Sequence, residues 1–156
     1  MSSTTGLLAY CRQGFEPELA AELSERAAHA GFAGYARAQR NDGYVLFVCE
    51  DAAGLDRALP WRDLIFARQK LRLLAELRGI DPKDRITPLL AALAGGGRYG
   101  DLWVEHPDSD SAKPLAGLAR SFGNALRPAL RKARHAIPSN RGRSTETGCH
   151  SGWSVF

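Results

Sequence analysis

The chain has 156 residues, of which 44% are hydrophobic and 24% charged, a balance that suits a globular protein and excludes a disordered one. No apolar run approaches the roughly 20 residues of a bilayer span, and Met1-Ser2-Ser3-Thr4-Thr5 lacks the basic and apolar regions of a signal peptide, so a cytoplasmic protein with no membrane partner is expected. The net charge of +4 is uneven: residues 127–156 hold six of the 21 Lys and Arg but only Glu146 of the 17 acids.

Gly6 to Arg12 is a short apolar run and predicts a buried strand. Glu16-Pro17 opens a helix, with Pro in the first turn and acids at the positive end of the dipole. Leu19, Leu23 and Ala27 recur at helical spacing, and Gly31 stops the helix. A second strand is predicted over Gly34 to Arg40. Asn41-Asp42-Gly43 is a hairpin turn, and Tyr44 to Cys49 a buried third strand. A short helix over Ala52 to Leu59 ends at Pro60. Leu64 to Leu77 begins strand-like, its second half suiting either strand or helix. Strand, helix, strand, strand, helix, strand is the split β-α-β pattern of ferredoxin-like domains, with helices on one face of a four-stranded antiparallel sheet. The expected fold class is α+β, and residues 1–78 fill the pattern once.

Gly79 to Asp84 reads as a linker. Asp84 or Thr87 caps a helix to about Ala94, with Pro88 in its first turn, and Gly95-Gly96-Gly97 ends it. Asp101 to His106 is a strand with Leu102 and Val104 on one face and Trp103 and Glu105 on the other. Asp108 to Ser111 is a turn. Lys113 to about Ala133 is helical in parts, with a break expected near Gly123-Asn124 and Pro128. Residues 80–133 thus make an incomplete α/β domain. Residues 134–156, rich in Ser, Gly and Arg, are expected to be a basic tail of low order, with Trp153 to Phe156 its one apolar cluster.

No catalytic constellation is visible. Gly95 to Gly100 lacks the Gly-Lys-Ser/Thr ending of a phosphate-binding loop and follows a helix instead of opening one. Glu105, Asp108 and Asp110 do not fit a calcium loop. Cys11, Cys49 and Cys149 are odd in number and widely spaced, against a disulfide framework or zinc site. Cys11 and Cys49 are expected as small buried hydrophobes, and Cys149-His150 lacks further ligands. No residues are therefore assigned to catalysis, cofactor or metal. Basic residues carry the functional signal. Arg12, Arg37, Arg40, Arg68, Lys70 and Arg72 lie on or beside predicted strands, with Tyr35 and Tyr44 as possible base-stacking neighbours. Lys83 and Arg85 flank the second domain's first helix. Arg120, Arg127, Arg131 and Lys132 lie on its last, where the spacings of seven and four put the three arginines on one face. These twelve are candidate RNA contacts; a solvated basic face is the competing reading.

Several ordered segments resemble one family. They are Cys11-Arg12-Gln13-Gly14-Phe15-Glu16, Asn41 to Val45, Leu64-Ile65-Phe66-Ala67-Arg68-Gln69, Asp84 to Pro88, Leu102 to Glu105 and Ser121 to Arg131. The chain is similar, over about residues 6–133, to the N-terminal half of the bacterial 23S ribosomal RNA 2′-O-ribose cytidine methyltransferases of the M type. The resemblance implies a ferredoxin-like domain followed by a THUMP-like RNA-binding domain. In the full-length family, a catalytic domain that uses S-adenosylmethionine then follows. It also implies 23S ribosomal RNA as partner. The likeness is expected to end near Arg134, as a frameshift, premature stop or fragment would produce, so the chain alone is expected to be inactive. The alternative expectation is a non-catalytic interaction module without RNA affinity, self-associating through its incomplete second domain instead of remaining a monomer.

Overall fold

Strand β1 (Gly6–Tyr10) is buried along its whole length because it occupies the interior of a four-stranded sheet. The computed structural model describes residues 4–94, 101–133 and the backbone of 152–155. After β1 come α1 (Glu16–His29), β2 (Tyr35–Ala38), β3 (Tyr44–Val48), α2 (Ala52–Ala58) and β4 (Gln69–Leu73). The strands pair in the order β2-β3-β1-β4, all antiparallel. This is the α+β, ferredoxin-like architecture expected from the order of elements. The strand expected to begin at Leu64 begins only at Gln69, and the stretch after Leu73 is neither strand nor helix up to α3.

Alternation along the strands gives the sheet two apolar faces. Leu7, Ala9, Val45 and Phe47 pack with Leu19, Leu23 and Ala27 of α1 and Leu55 of α2 in the main core, joined by Cys11 and Cys49. On the other face, Leu8, Tyr10 and Leu46 form a smaller cluster with Tyr44, Leu71 and Leu73 packed against it. The helix α1 keeps the predicted frame, with Pro17 in its first turn and Leu19, Leu23 and Ala27 buried.

The chain divides into two compact units. The first combines Met1–Glu76 with Pro107–Pro114, and the second combines Leu77–His106 with Leu115–Phe156. The chain therefore enters the second unit, returns to the first for eight residues, and leaves again. Asp110 N–H donates to Gln13 Oε1 at 3.0 Å within the first unit, and Ser109 and Ala112 are buried.

The second unit contains α3 (Ile86–Leu93), β5 (Asp101–Val104), α4 (Ala116–Lys132) and β6 (Gly152–Val155). Its core is Leu89, Leu93, Leu102, Leu126 and Leu130. Asp84 provides the expected helix-start hydrogen bond, accepting from Thr87 N–H at 3.1 Å. Two expectations need correction. Helix α4 runs unbroken past Gly123 and Pro128. Gly123 lies on the buried side facing Val104, and Pro128 is exposed, so the carbonyl it leaves without a partner, that of Asn124, is on a solvated flank. Within the tail, Gly152–Val155 is a strand, paired in parallel with Asp101–Val104. An isolated β5 would leave backbone groups unpaired, and the tail's one apolar cluster supplies the partner. The remainder of the tail, including Cys149-His150, and the Gly95 to Gly100 loop lie outside the described residues.

Candidate nucleic-acid interface

Three of the segments singled out in the sequence meet in the first unit. The loop between β1 and α1 supplies Arg12, Gln13 and Phe15, the β2–β3 turn supplies Asn41, and the segment before β4 supplies Ile65, Phe66 and Arg68. With Asp108 these residues line an open cleft of about 780 Å³.

The loops are held from beneath by two carboxylates. Glu16, fully buried, accepts from Gly14 N–H at 3.0 Å and from Gly43 N–H at 2.8 Å, tying the β1–α1 loop to the hairpin turn. Burial alone would raise the Glu16 carboxyl. The hydrogen bonds from Gly14, Gly43, its own backbone and Asn41 outweigh that and hold it below the usual carboxylate range. The turn needs the left-handed region at Asn41 (φ 69°) and Gly43 (φ 78°), residue types that tolerate it. Gly43 also has Asp108 backbone at its α-carbon: an added Cβ would meet Asp108 O at 3.3 Å. Glu22, projecting from α1, accepts from Ile65 N–H at 2.7 Å and Phe66 N–H at 3.1 Å. It thereby fixes the backbone that presents those two side chains.

What the cleft shows to solvent is cationic and aromatic together. Phe15 and Phe66 stack with ring centroids 6.1 Å apart and planes at 25°. Phe15 remains 41% exposed and Ile65 77% exposed. Arg12 is exposed. Arg68 Nη1 lies 2.9 Å from Asp108 Oδ2, with both side chains largely in water, an ion pair worth about 0–1 kcal/mol. Exposed aromatic rings beside guanidinium groups are the pairing that binds unpaired nucleic acid: rings stack on bases and cations meet phosphates. Cys11 lies below. Burial, with added repulsion from Glu16 and Glu18, pushes its thiol up to about 11, so it is no nucleophile at neutral pH.

The other basic candidates do not gather into one sheet surface. Lys70, opposite Ala9, and Arg72, opposite Leu7, lie on the helix-covered face, whereas Arg37, opposite Leu46, lies on the other. The Lys70 side chain is only 7% exposed. It donates to the Asp56 carbonyl at 2.7 Å and to that of Leu59, and pairs with the Asp56 carboxylate at 2.7 Å, so it caps α2. Arg37 is bound by Glu76, with Nη2 at 2.8 Å from both carboxylate oxygens. Arg40 is exposed next to the hairpin turn. In the second unit, Lys83, Arg120, Arg127, Arg131 and Lys132 are exposed and Arg85 is half-buried. Arg127 also donates to the Leu102 carbonyl at 3.3 Å. Tyr35 is 58% exposed, while Tyr44 packs against the cluster of Leu8, Tyr10 and Leu46.

Sequence reasoning found Arg12 and Arg68 but overlooked Phe15, Phe66, Glu16 and Glu22 as parts of a site. Phe15 and Phe66 are 51 residues apart in sequence, and no periodicity links them. The one available signal was that both fall inside segments that carried the family resemblance.

Residues 4–71 match the family description "RlmM ferredoxin-like domain". Residues 84–147 match "Ribosomal RNA large subunit methyltransferase M, N-terminal". The second match runs past Arg134, where the likeness was expected to end. Proteins named "Ribosomal RNA large subunit methyltransferase M" from Xanthomonas oryzae pv. oryzae (strain KACC10331 / KXO85) and Xanthomonas campestris pv. campestris (strain B100) are each 80% identical to this chain over 129 residues, which is 83% of it. One from Xanthomonas axonopodis pv. citri (strain 306) is 79% identical over the same length. The chain spans 37% of the length of these relatives. With two matches that together cover most of its residues, the chain belongs to the ribosomal RNA large subunit methyltransferase M family.

Proposed function

We propose that this chain is the RNA-binding N-terminal part of an S-adenosylmethionine-dependent 23S ribosomal RNA cytidine-2′-O-ribose methyltransferase, acting in the cytoplasm. Residues 80–133 are the opening part of its THUMP-like domain. Family membership supports the ribosomal RNA partner. The observation that carries RNA binding by this portion is the cleft, where exposed Arg12 and Arg68 stand beside the stacked Phe15 and Phe66. The exposed arginines of α4 add further cations in the second unit. Among the described residues, no helix is long and apolar enough to cross a membrane.

The cleft does not suit the methyl donor. S-adenosylmethionine carries a sulfonium cation, and two of the lining side chains are guanidinium groups while the one carboxylate, Asp108, is already paired. Methyl transfer is therefore assigned to the remainder of the full-length enzyme, and the role of this portion is to hold RNA.

The test is binding of the purified chain to 23S ribosomal RNA fragments, against an unrelated RNA of equal length, across a salt series. Selective binding that weakens with salt is expected. Each phosphate contacted on a single strand adds about 0.7 to the log–log salt slope. Replacing both Arg12 and Arg68 with Ala should lower that slope by about 1.4. Binding that is absent, or insensitive to salt, would overturn the reading in favour of an apolar interaction module.

A further inference from the structure

We infer that the cleft of the first unit is a subsite for one unpaired nucleotide, its base laid on Phe15 and its phosphate held by Arg12 and Arg68, with Asp108 as the group that phosphate displaces. The inference deepens the RNA-binding reading and rests on it.

Three features carry it. Phe15 stacks with Phe66 and is still 41% exposed, so an aromatic side chain held by a neighbour remains accessible from solvent. A ring in this position suits an unpaired base, whose face is free, and not a duplex, whose faces are stacked. The cleft, at about 780 Å³, has room for a nucleotide. Third, Arg68 is held 2.9 Å from the largely exposed Asp108. A phosphate offers the guanidinium the same bidentate geometry as a carboxylate. Asp108 therefore occupies the place on Arg68 that a phosphate would take. Glu16 and Glu22 act as positioning residues, since each fixes backbone that presents a lining side chain.

The experiment measures equilibrium binding of the full 156-residue chain to three probes: a 23S ribosomal RNA fragment, a single-stranded oligoadenylate of about ten nucleotides, and the same oligomer with abasic sites. Phe15→Leu should bind the oligoadenylate about tenfold more weakly and the abasic oligomer unchanged, because only stacking is lost. Phe15→Tyr should restore the affinity, and equal urea midpoints would show that the fold is intact. Asp108→Ala should tighten both oligomers about three- to tenfold. Glu25→Ala removes the same charge from an exposed site on α1 and should change affinity less than about twofold. The subsite is overturned if Phe15→Leu leaves both oligomers unaffected or weakens them equally, or if Asp108→Ala binds no tighter than Glu25→Ala. Should the ribosomal fragment still bind in a salt-sensitive way, RNA binding stands and only the subsite falls. A chain that binds none of the three probes overturns both.

Discussion

Glu16 shows how much one side chain can organise. Its carboxylate sits at the first turn of α1, out of water, and accepts backbone hydrogen bonds from both the β1–α1 loop and the hairpin turn. Glu16→Gln keeps the shape but turns Oε2 into a donor: Oε1 still accepts from Gly14 and Gly43 N–H, while the second bond from Gly14 and the negative charge that strengthens these backbone bonds are lost. The expected loss is about 1–3 kcal/mol at neutral pH, read from urea unfolding. The sign of the pH dependence follows from the lowered pKa. Stabilisation by Glu16 is complete above its ordinary value of 4.5 and is lost as pH falls from there through the folded value. The stability gap between the native protein and Glu16→Gln should accordingly be constant near neutrality and shrink in acid. A gap that stays constant down to about pH 3 would contradict the assignment.

At the scale of elements, α2 and α4 each turn on one interaction that the residue type alone does not announce. Lys70 belongs to β4, yet its ammonium reaches across to the carbonyls that end α2. Lys70→Met should destabilise the protein by about 1–3 kcal/mol in urea while leaving RNA affinity within about twofold, because the charge is buried and already partnered. A large loss of RNA affinity with unchanged stability would restore it to the RNA surface. In α4, Gly123 is buried in a continuous helix, and an added Cβ would sit 3.5 Å from Val104 Cγ2, an ordinary packing distance. Gly123→Ala should therefore stabilise the second unit by about 0.5–1 kcal/mol, raising its thermal midpoint. A drop in midpoint would show that α4 and β5 leave no room for the methyl group.

For the whole molecule, the consequence lies in how the chain is shared between units. A cut after residue 78 follows the linear order of elements, but it discards Pro107–Pro114, which belong to the first unit. Gln13 then loses the amide of Asp110, and Gly43 loses its cover of Asp108 and Ser109. A fragment of residues 1–78 should exchange the Gly14 and Gly43 amides faster than the full chain does. Joining residues 107–114 to it through a flexible linker should restore their protection. Equal protection in fragment and full chain would mean that the returning segment adds nothing to the first unit.

The sequence by itself determined the order of elements in the first unit, the burial of Leu19, Leu23 and Ala27, the hairpin at Asn41-Asp42-Gly43, and the family, because these rest on local periodicity, turn chemistry and ordered motifs. It also marked Arg12 and Arg68. Tertiary structure alone decided the rest. The strand at Gly152–Val155 needed a partner 51 residues away, a pairing no local pattern encodes. The unbroken α4 was hidden because Gly and Pro weaken helices on average, whereas here one packs against Val104 and the other faces solvent. Lys70 and Arg37 read as surface cations until their partners, Asp56 and Glu76, came within reach through folding. The cleft itself is a product of the fold: its aromatic pair, its two supporting carboxylates and Asp108 come from distant parts of the chain, and only the closing of the sheet and the return of residues 107–114 place them together.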